Sequence, residues 1–381
     1  MKVRESLRQY LGEITEIRRE LHRVPEYSFE EYKTSEYLMN YLKRLRPDQL
    51  EVVAKTGIKA VFLAKHPAKT VAIRADIDAL PVPEYNDVSY RSQCENMMHA
   101  CGHDGHMAIA LICAKIISGA RDRLKYNYVF LFQPAEETTG GAQPMVEEGA
   151  LKNPDVDEIY GIHLWPYLPA GVAGCKAGPI MARMCDLNIN IKGRGSHGAK
   201  PHNGRDALIA AAQLVMGVQT IISRNVDPYK TGVITIGRIE GGQTRNVICE
   251  DVRLEGTIRT FEPEVTQTIQ RRLTEMLEGL DMMYQVKSEY IESMTYPAVV
   301  NDAALYDRTK AKFDEAEFVV VEPVMLSEDF SNFQRQIPGL YTFMGIAEAE
   351  DAEPLHSSRF NFNEQVLLNG VEYFLRVTDF E

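Results

Sequence analysis

The densest group of side chains able to bind a metal lies at residues 99–106, where the sequence reads HACGHDGH. Thiolate, imidazole and carboxylate groups are the usual protein ligands of zinc and related ions. Cys101 and His103 are two residues apart, so within a regular helix they would point to different sides. They can converge only from an extended turn that enters a helix, and Gly102 and Gly105 permit such a turn. The segment therefore predicts a metal site; ordinary surface or helix-start histidines are the alternative.

Two adjacent carboxylates, Glu136 and Glu137, follow the apolar run at residues 128–132. Such a run is typical of a buried strand, and open α/β sheets place their sites at strand ends. One carboxylate can bind metal while the other, its pKa raised by its neighbour and by burial, takes a proton from water. The residue types alone do not decide which glutamate has which role. The alternative is a solvated pair at the start of a loop, which the preceding strand and the following Thr-Gly-Gly disfavour.

Two further histidines lie near predicted strand ends: His163 at the end of the strand predicted from residue 160, and His356 after the last predicted strand at residues 340–345. Each alone is more typical of a hydrogen-bonded core or loop histidine. With Cys101, His103 and one glutamate, however, they supply enough ligands for a paired metal site.

The elements that must position these residues begin with two amphipathic helices, predicted from apolar residues at steps of three and four in the first 45 residues. Ser28 and Glu31 precede the second helix in the S-x-x-E pattern of a capping box. The next predicted segments are strands at residues 60–64, 70–75, 128–132 and 160–164, with a helix at residues 103–118. This order predicts a sheet covered by helices on both faces.

The pattern changes near residue 180 to strand, helix, strand, strand, helix, strand. The predicted segments are residues 187–192, 206–223, 232–239, 252–260, 264–280 and 284–290. We therefore predict an α/β protein of two domains. Residues 1–180 and 296–381 form a catalytic domain around a helix-covered mixed sheet, and residues 181–295 form an inserted β-α-β-β-α-β domain. The length of 381 residues agrees, because one core rarely grows beyond roughly 250 to 300 residues.

Charge and cysteine usage limit the partners and the compartment. With 42 basic and 54 acidic residues the formal net charge is −12, which repels nucleic acid. The longest uncharged run, residues 207–223, is interrupted by Gln213, Gln219 and Thr220, so we predict a buried helix and no membrane span. A charged N-terminal segment and six cysteines in a long chain predict the reducing cytoplasm rather than a disulfide framework.

An ordered set of motifs runs through essentially the whole chain. These are LHRVPE at residues 21–26, RADIDALP at 74–81, HACGHDGH at 99–106, QPAEE at 133–137, SHG at 196–198, NVI at 246–248, GTIR at 256–259 and SEDF at 327–330. In this set the chain resembles the aminoacylase and carboxypeptidase-like metallohydrolases. The similarity is to the branch of hippurate hydrolases, plant auxin-conjugate amidohydrolases and N-acetyldiaminopimelate deacetylases.

The resemblance implies roles for individual residues. Two divalent metal ions per subunit would be held by Cys101, His103, Glu137, His163 and His356. Glu136 would be the general base and Asp76 a supporting acid. The inserted domain would be a lid that commonly dimerises, and its His197 would stabilise the oxyanion, in cis or across a dimer. Asn246 and Arg259 are candidates for holding the substrate carboxylate, since a guanidinium offers a matching planar fork; a solvated or salt-bridged strand arginine is the alternative.

The chain departs from the wider family at Arg74, where many relatives carry a histidine, because arginine cannot bind a metal. Cys101 and His103 take over that function in the amidohydrolase branch. Zinc, manganese, cobalt and nickel are all compatible with this mixed ligand set.

Together these features predict a metal-dependent amidohydrolase. It would split N-acyl-L-amino acids, with an acetyl, benzoyl or similar acyl group, into a carboxylate and a free amino acid, and it would act as a homodimer or higher homo-oligomer. A dinuclear-metal dipeptidase or carboxypeptidase is the alternative enzyme, and a non-catalytic metal-binding dimer on the same fold is the alternative of another class. Cys101 could also be a nucleophile, because His103 is close to it in sequence.

Overall fold

The structure is a computed structural model that describes residues 1–348 and 352–380. In chain order the strands are β1 (Gln49–Val53), β2 (Gly57–Phe62), β3 (Thr70–Asp76), β4 (Asn127–Gln133), β5 (Glu158–Pro169), β6 (Ala173–Cys175), β7 (Gly178–Met181), β8 (Arg183–Lys192), β9 (Gly232–Gly241), β10 (Asp251–Thr260), β11 (Lys287–Tyr296), β12 (Val299–Asn301), β13 (Phe318–Val320) and β14 (Gly339–Ala347). The α-helices are α1 (Leu11–His22), α2 (Tyr32–Leu45), α3 (His103–Ser118), α4 (Ala142–Glu147), α5 (Ala207–Asn225), α6 (Pro263–Tyr284), α7 (Ala303–Lys310), α8 (Ser331–Gln334) and α9 (Leu367–Val377).

The chain divides into two compact units. The first comprises Met1–Ile180, Val299–Glu322 and Asp329–Glu381, and the second comprises Met181–Ala298 and Pro323–Glu328. The sequence prediction ended the insertion at residue 295 and placed residues 323–328 in the catalytic domain. The structure groups this short segment with the second unit, because the amide of Ala182 hydrogen-bonds to the carbonyls of Val324 and Leu326.

The first unit is built on an eight-stranded mixed sheet in the order β1-β2-β4-β3-β5-β14-β6-β13. β3 runs parallel to β4 and β5, and β5 runs parallel to β14, whereas β2 is antiparallel to both β1 and β4. Every residue of β3 and β4 is buried. Strands buried on both faces need apolar side chains on both, which explains the apolar runs at residues 71–73 and 128–132. The buried polar residues Arg74, Asp76 and Gln133 lie toward the ends of these strands. The predicted mixed sheet covered by helices is confirmed.

Helix α3 is the central helix of this unit and begins at His103, as predicted. Gly102 precedes it with φ 87°, a left-handed conformation that glycine adopts without steric cost. Gly105 has another role than the predicted turn: a Cβ at this position would lie 2.6 Å from Cδ1 of Leu164. Glycine therefore lets the helix lie directly against β5. Almost all of α3 is buried, which fits its apolar character on all sides.

The N-terminal helices differ from the prediction in detail. The first begins as a 3-10 helix (Glu5–Tyr10) before α1. The predicted capping box at α2 is wrong: Ser28 donates its hydroxyl hydrogen bond to Asp78, and the Glu31 side chain makes no capping bond. The Thr34 amide in the first turn donates instead to Glu26 at 2.9 Å. A tertiary partner has replaced the local one.

The second unit is an antiparallel sheet in the order β11-β8-β10-β9, packed on α5 and α6. The predicted β-α-β-β-α-β order is confirmed. The last strand is displaced from its predicted place at residues 284–290, because α6 continues to Tyr284 and β11 begins at Lys287. Buried residues alternate along β8, as expected where one face of a sheet packs on helices.

Among the described residues, α5 alone has the length and apolar composition that could cross a membrane, and 33% of its most apolar window is buried. The buried side packs into the core of the second unit through Ala210, Leu214 and Val218. Ile209 and Met216 are 52% and 71% exposed. The prediction of a buried helix is therefore right for one face and wrong for the other.

Candidate active site

Parallel strands bring several of the predicted site residues to one edge of the large sheet. Asp76 ends β3 and pairs with Gln133, the last residue of β4. β3 also pairs with β5 as far as Arg74 and Gly161, so His163 follows just beyond the paired stretch. His163 lies within β5, which continues to Pro169, rather than at a strand end as predicted. The QPAEE segment that carries both glutamates begins at Gln133 and therefore leaves the sheet at the same edge.

The structure brings six of the predicted residues together in the first unit. They are Cys101, His103, Glu136, Glu137, His163 and His356. Ligand atoms lie within 4.8 Å of one another in three overlapping groups: Cys101 with His103 and His163, Cys101 with Glu137 and His356, and His103 with both glutamates. Overlapping groups of this kind provide more ligands than one ion requires.

Hydrogen bonds to backbone carbonyls orient two of the histidines. Nδ1 of His103 lies 2.9 Å from the carbonyl oxygen of Asp78, and Nδ1 of His163 lies 2.7 Å from that of Leu164. A carbonyl only accepts, so Nδ1 carries the proton in both rings and Nε2 turns toward the cluster. Nε2 of His163 is 3.3 Å from Sγ of Cys101. Histidines that bind metals are commonly oriented in this way by their second nitrogen.

Two buried atoms in the cluster show that it fits a cation. Nε2 of His103 and Oε1 of Glu137 are buried and have no hydrogen-bond partner among the described residues. They lie 3.7 Å apart, and Nε2 of His356 is 3.5 Å from the same Glu137 oxygen. Burying polar atoms without partners costs free energy, so such atoms in a native site call for a further ligand. Thiolate, imidazole and carboxylate together fit a divalent transition-metal ion.

Asp76 lies beside this cluster and is held by other groups. Its Oδ2 is 2.5 Å from Nη1 of Arg74, and its Oδ1 is 2.6 Å from Nδ1 of His106. Burial raises the pKa of Asp76, but His103, His106 and Arg74 outweigh it and hold the pKa well below its usual range. Sequence reasoning missed His106, although its position three residues after His103 places both on one helix face.

Charges inside the cluster favour protonated Cys101 and His103. Burial lowers the pKa of His103, but the carboxylates of Asp76, Asp78 and Glu137 outweigh it and raise the pKa to about 10. Burial, together with Glu137, raises the pKa of the Cys101 thiol well above its usual range. A nucleophilic cysteine needs a lowered pKa, so these surroundings disfavour the alternative of covalent catalysis by Cys101.

One side of the cluster faces solvent. The His356 side chain is 51% exposed, whereas that of Glu137 is 8% exposed. His356 has φ 65°, and its backbone amide donates to the carbonyl of Ala100, which ties the loop after β14 to the segment before Cys101. Glu136 is half-buried. The cluster is therefore open to solvent at His356 and closed around Glu137.

The other three predicted residues lie in the second unit. His197 is exposed, and its backbone pairs with that of Val247, beside Asn246. Asn246 accepts a backbone hydrogen bond from Gly198, so the structure brings His197 and Asn246 to neighbouring segments. Arg259 lies apart from them on β10, half-buried, where burial lowers its pKa and Asp186 opposes this effect.

Comparisons with known proteins agree with this site and fold. Residues 72–379 match peptidase family M20/M25/M40. The chain is 39% identical over 339 residues to the N-acetyldiaminopimelate deacetylase of Priestia megaterium, covering 88% of this chain and 90% of that protein. It is also 39% identical over 370 residues to the deacetylase of the same name from Listeria monocytogenes, covering 96% and 98%.

A solved structure of a related protein has a similar fold. The YxeP protein of Bacillus subtilis, described as a dinuclear metal binding peptidase from the M20 family, superposes with a TM-score of 0.85 at 32% identity. The match covers 97% of this chain and 98% of that one. The family resemblance seen in the sequence motifs is confirmed, and the chain belongs to peptidase family M20/M25/M40.

Proposed function

We propose that the protein is a metal-dependent amidohydrolase that removes the acyl group from N-acyl-L-amino acids. Membership of the family and the names of the relatives support a hydrolase of amide bonds. The observation that carries the proposal is the convergence of Cys101, His103 and His163 with two glutamates in one cluster. A half-buried carboxylate beside potential metal ligands is the arrangement that amide hydrolysis by water requires.

Two divalent ions per subunit are part of the proposal. Their ligands would be Cys101, His103, Glu137, His163 and His356. The name of the Bacillus subtilis neighbour and the unpartnered atoms of His103 and Glu137 support it. Zinc, manganese, cobalt and nickel are the candidate ions. When bound, such ions polarise a carbonyl oxygen and lower the pKa of water.

The residues of the chain perform the proton transfer. Glu136 takes a proton from the attacking water and returns it to the leaving amine, so one carboxylate acts as base and then as acid. Asp76 stays ionised beside Arg74 and His106 and keeps negative charge next to His103. His197 of the second unit would donate a hydrogen bond to the oxyanion.

The substrate most strongly supported is an N-acetyl amino acid with a second polar end, because both relatives above are named N-acetyldiaminopimelate deacetylases. Asn246 and Arg259 are the candidates for holding its carboxylate. The guanidinium of Arg259 suits a carboxylate by shape and charge.

A homodimer in the cytoplasm is the proposed working state. Exposed apolar side chains on α5, such as Ile209 and Met216, support association through the second unit. The six cysteines all lie in the described residues and are unpaired, which supports a reducing compartment. Sedimentation equilibrium of the wild type and of Met216→Glu tests the homodimer. A monomeric wild type would contradict it.

The proposal is tested by incubating metal-loaded protein with a panel of amides and measuring the free amine that is released. The panel contains acetyl, benzoyl and indole-acetyl amino acids, N-acetyldiaminopimelate and unblocked dipeptides. We expect the N-acetyl substrates to be turned over, activity to be lost on chelation, and activity to return with added metal. Glu136→Gln should bind metal normally and lose about 100-fold or more in kcat. Preferred cleavage of dipeptides would make the protein a peptidase, and no turnover across the panel would favour the non-catalytic alternative.

A further inference from the structure

Ser28 and Glu31, the predicted capping pair of α2, face the active site instead. Glu31 is fully buried, at 0% exposure, and Ser28 is 7% exposed. The Ser28 hydroxyl donates to Oδ2 of Asp78 at 2.8 Å. The Glu31 carboxylate lies against the QPAEE segment that carries Glu136 and Glu137. A short segment before α2 therefore contacts the turn that supplies the proposed base.

The Glu31 carboxylate accepts three hydrogen bonds from neutral donors. Oε1 accepts from the backbone amides of Phe29 at 2.8 Å and Ala135 at 3.0 Å. Oε2 accepts from the Thr56 hydroxyl at 2.5 Å. Burial raises the pKa of this carboxyl, and the hydrogen bonds from Thr56 and Phe29 act in the opposite direction. An ionised carboxylate is suited to these contacts because it only accepts.

Ala135, directly before Glu136, has an unfavourable backbone conformation. Its φ is 55°, in the left-handed region where a Cβ is disfavoured. A non-glycine residue keeps such a conformation only where its surroundings enforce it, and these residues concentrate at functional sites. The Ala135 amide donates to Glu31, and the Ala135 carbonyl accepts from the amide of Gly140 at 2.9 Å.

The amides on both sides of Glu136 are held by two buried carboxylates, Glu31 and Asp78. The Ala135 amide donates to Glu31, and the Glu137 amide donates to Oδ2 of Asp78 at 3.0 Å. That Asp78 oxygen also accepts the Ser28 hydroxyl. The backbone of Glu136 is therefore fixed at the residue before it and at the residue after it.

We propose that Glu31 is a positioning residue for Glu136, because its carboxylate holds the Ala135 amide and thereby the left-handed turn that directs the catalytic carboxylate. The inference rests on the proposed function, in which Glu136 transfers the proton. Glu31 does not touch the substrate, so its loss should affect turnover more than substrate binding.

Glu31→Ala is the first test, with kcat, KM and bound metal all measured. We expect kcat to fall by about 100-fold, the loss associated with a displacement of roughly 1 Å at a reacting group. KM and metal content should stay near the wild-type values. Glu31→Gln keeps one oxygen for the two amides and should recover most of kcat.

A second substitution separates positioning from general support of the fold. In the Glu31→Ala background, Ala135→Gly should raise kcat by about tenfold, because glycine adopts the left-handed conformation without steric cost. The matched control is Glu372→Ala. Glu372 lies on α9 and is also buried, at 2% exposure. Its carboxylate accepts a hydrogen bond from the backbone amide of Arg4 at 3.0 Å. Glu372→Ala should lower the melting temperature and keep wild-type kcat.

The proposal is overturned if Glu31→Ala behaves like Glu372→Ala, with lower stability and unchanged kcat. Where Glu31→Ala does not fold, Glu31→Asp replaces it, since this change keeps the charge and shortens the reach to Ala135; wild-type kcat in that variant overturns the proposal equally. Glu136→Gln separates this outcome from failure of the proposed function. An active Glu136→Gln contradicts the role of the base, whereas an inactive Glu136→Gln beside a fully active Glu31→Ala contradicts only the positioning role.

Discussion

Replacing Asp104 by asparagine should remove a buried ionic contact that ties α1 to the first turn of α3. Asp104 is fully buried, and its Oδ2 accepts from Nε of Arg18 and from Nδ1 of His22, both at 2.8 Å. Oδ1 accepts from the amide of Gly105 at 2.9 Å. If the asparagine oxygen keeps this last contact, its NH2 group faces two other donors. The charge is lost, and the hydrogen bond from Arg18 is lost with it, because an amide NH2 and a guanidinium N–H are both donors.

The size of the effect follows from the remaining partners. Removing one member of a buried ion pair costs about 3–5 kcal/mol. Arg18 keeps Glu364 at 3.1 Å, and His22 keeps Glu84 at 3.2 Å, so neither cation is left without a carboxylate. We therefore expect Asp104→Asn to lower the free energy of unfolding by about 3 kcal/mol, the lower end of this range.

Urea denaturation followed by tryptophan fluorescence measures this loss. Trp165 is the only tryptophan, and it is buried against Phe343 in the first unit, so its signal reports that unit. Asp122→Asn is the control, because Asp122 forms an exposed pair with Lys65 and its loss should leave the urea midpoint unchanged. A cost below about 1 kcal/mol for Asp104→Asn would refute the reasoning, since exposed pairs already reach that value.

The same variant has a pH signature. Burial lowers the pKa of His22, but the hydrogen bonds to Asp104 and Glu84 outweigh it and raise the pKa above its ordinary value of about 6.5. A raised folded-state pKa stabilises the protein fully below about pH 6.5, and this stabilisation is lost as the pH rises through the folded pKa. Asp104→Asn should therefore flatten the decline in wild-type stability above pH 6.5. An unchanged slope would show that His22 does not depend on Asp104.

Two further predictions concern the packing and the ligands of the site. Gly105→Ala should destabilise the first unit by about 1–3 kcal/mol, because the added Cβ lies 2.6 Å from Leu164; an unchanged urea midpoint would contradict the close approach of α3 to β5. Zinc binding at pH 7 should release about two protons, one from His103, whose pKa is about 10, and one from the Cys101 thiol. Calorimetry in two buffers of different protonation enthalpy counts them, and no release would contradict these ligands.

Features that depend on local pattern were predictable from the sequence. The strands β3 and β4 follow from their short apolar runs, and the start of α3 after Gly102 follows from glycine's conformational freedom. The grouping of Cys101, His103 and the two glutamates follows from their places next to these elements. Positions near predicted strand ends, together with the family resemblance, extended the prediction to His163 and His356.

Features that depend on a distant partner were not predictable. Ser28 and Glu31 have the spacing of a capping box, but Asp78 and Ala135 offer buried partners that no local pattern reveals. Gly105 reads as a turn residue, whereas its role is set by Leu164 on β5. In both cases a tertiary contact decides what a short motif does.

Arg74 shows how one such contact limits the number of metal sites. Ligand atoms of Asp76, His103 and His106 lie close enough together to hold an ion. Asp76, however, already binds Arg74 through Oδ2 and His106 through Oδ1, and Nε2 of His106 accepts the amide of Leu164 at 2.9 Å. Both nitrogens of His106 are thus engaged, and a guanidinium lies beside the carboxylate. A cation there would have to displace these bonds, so ions should bind instead where Nε2 of His103 lies 3.7 Å from Oε1 of Glu137, an oxygen that has no hydrogen-bond partner among the described residues.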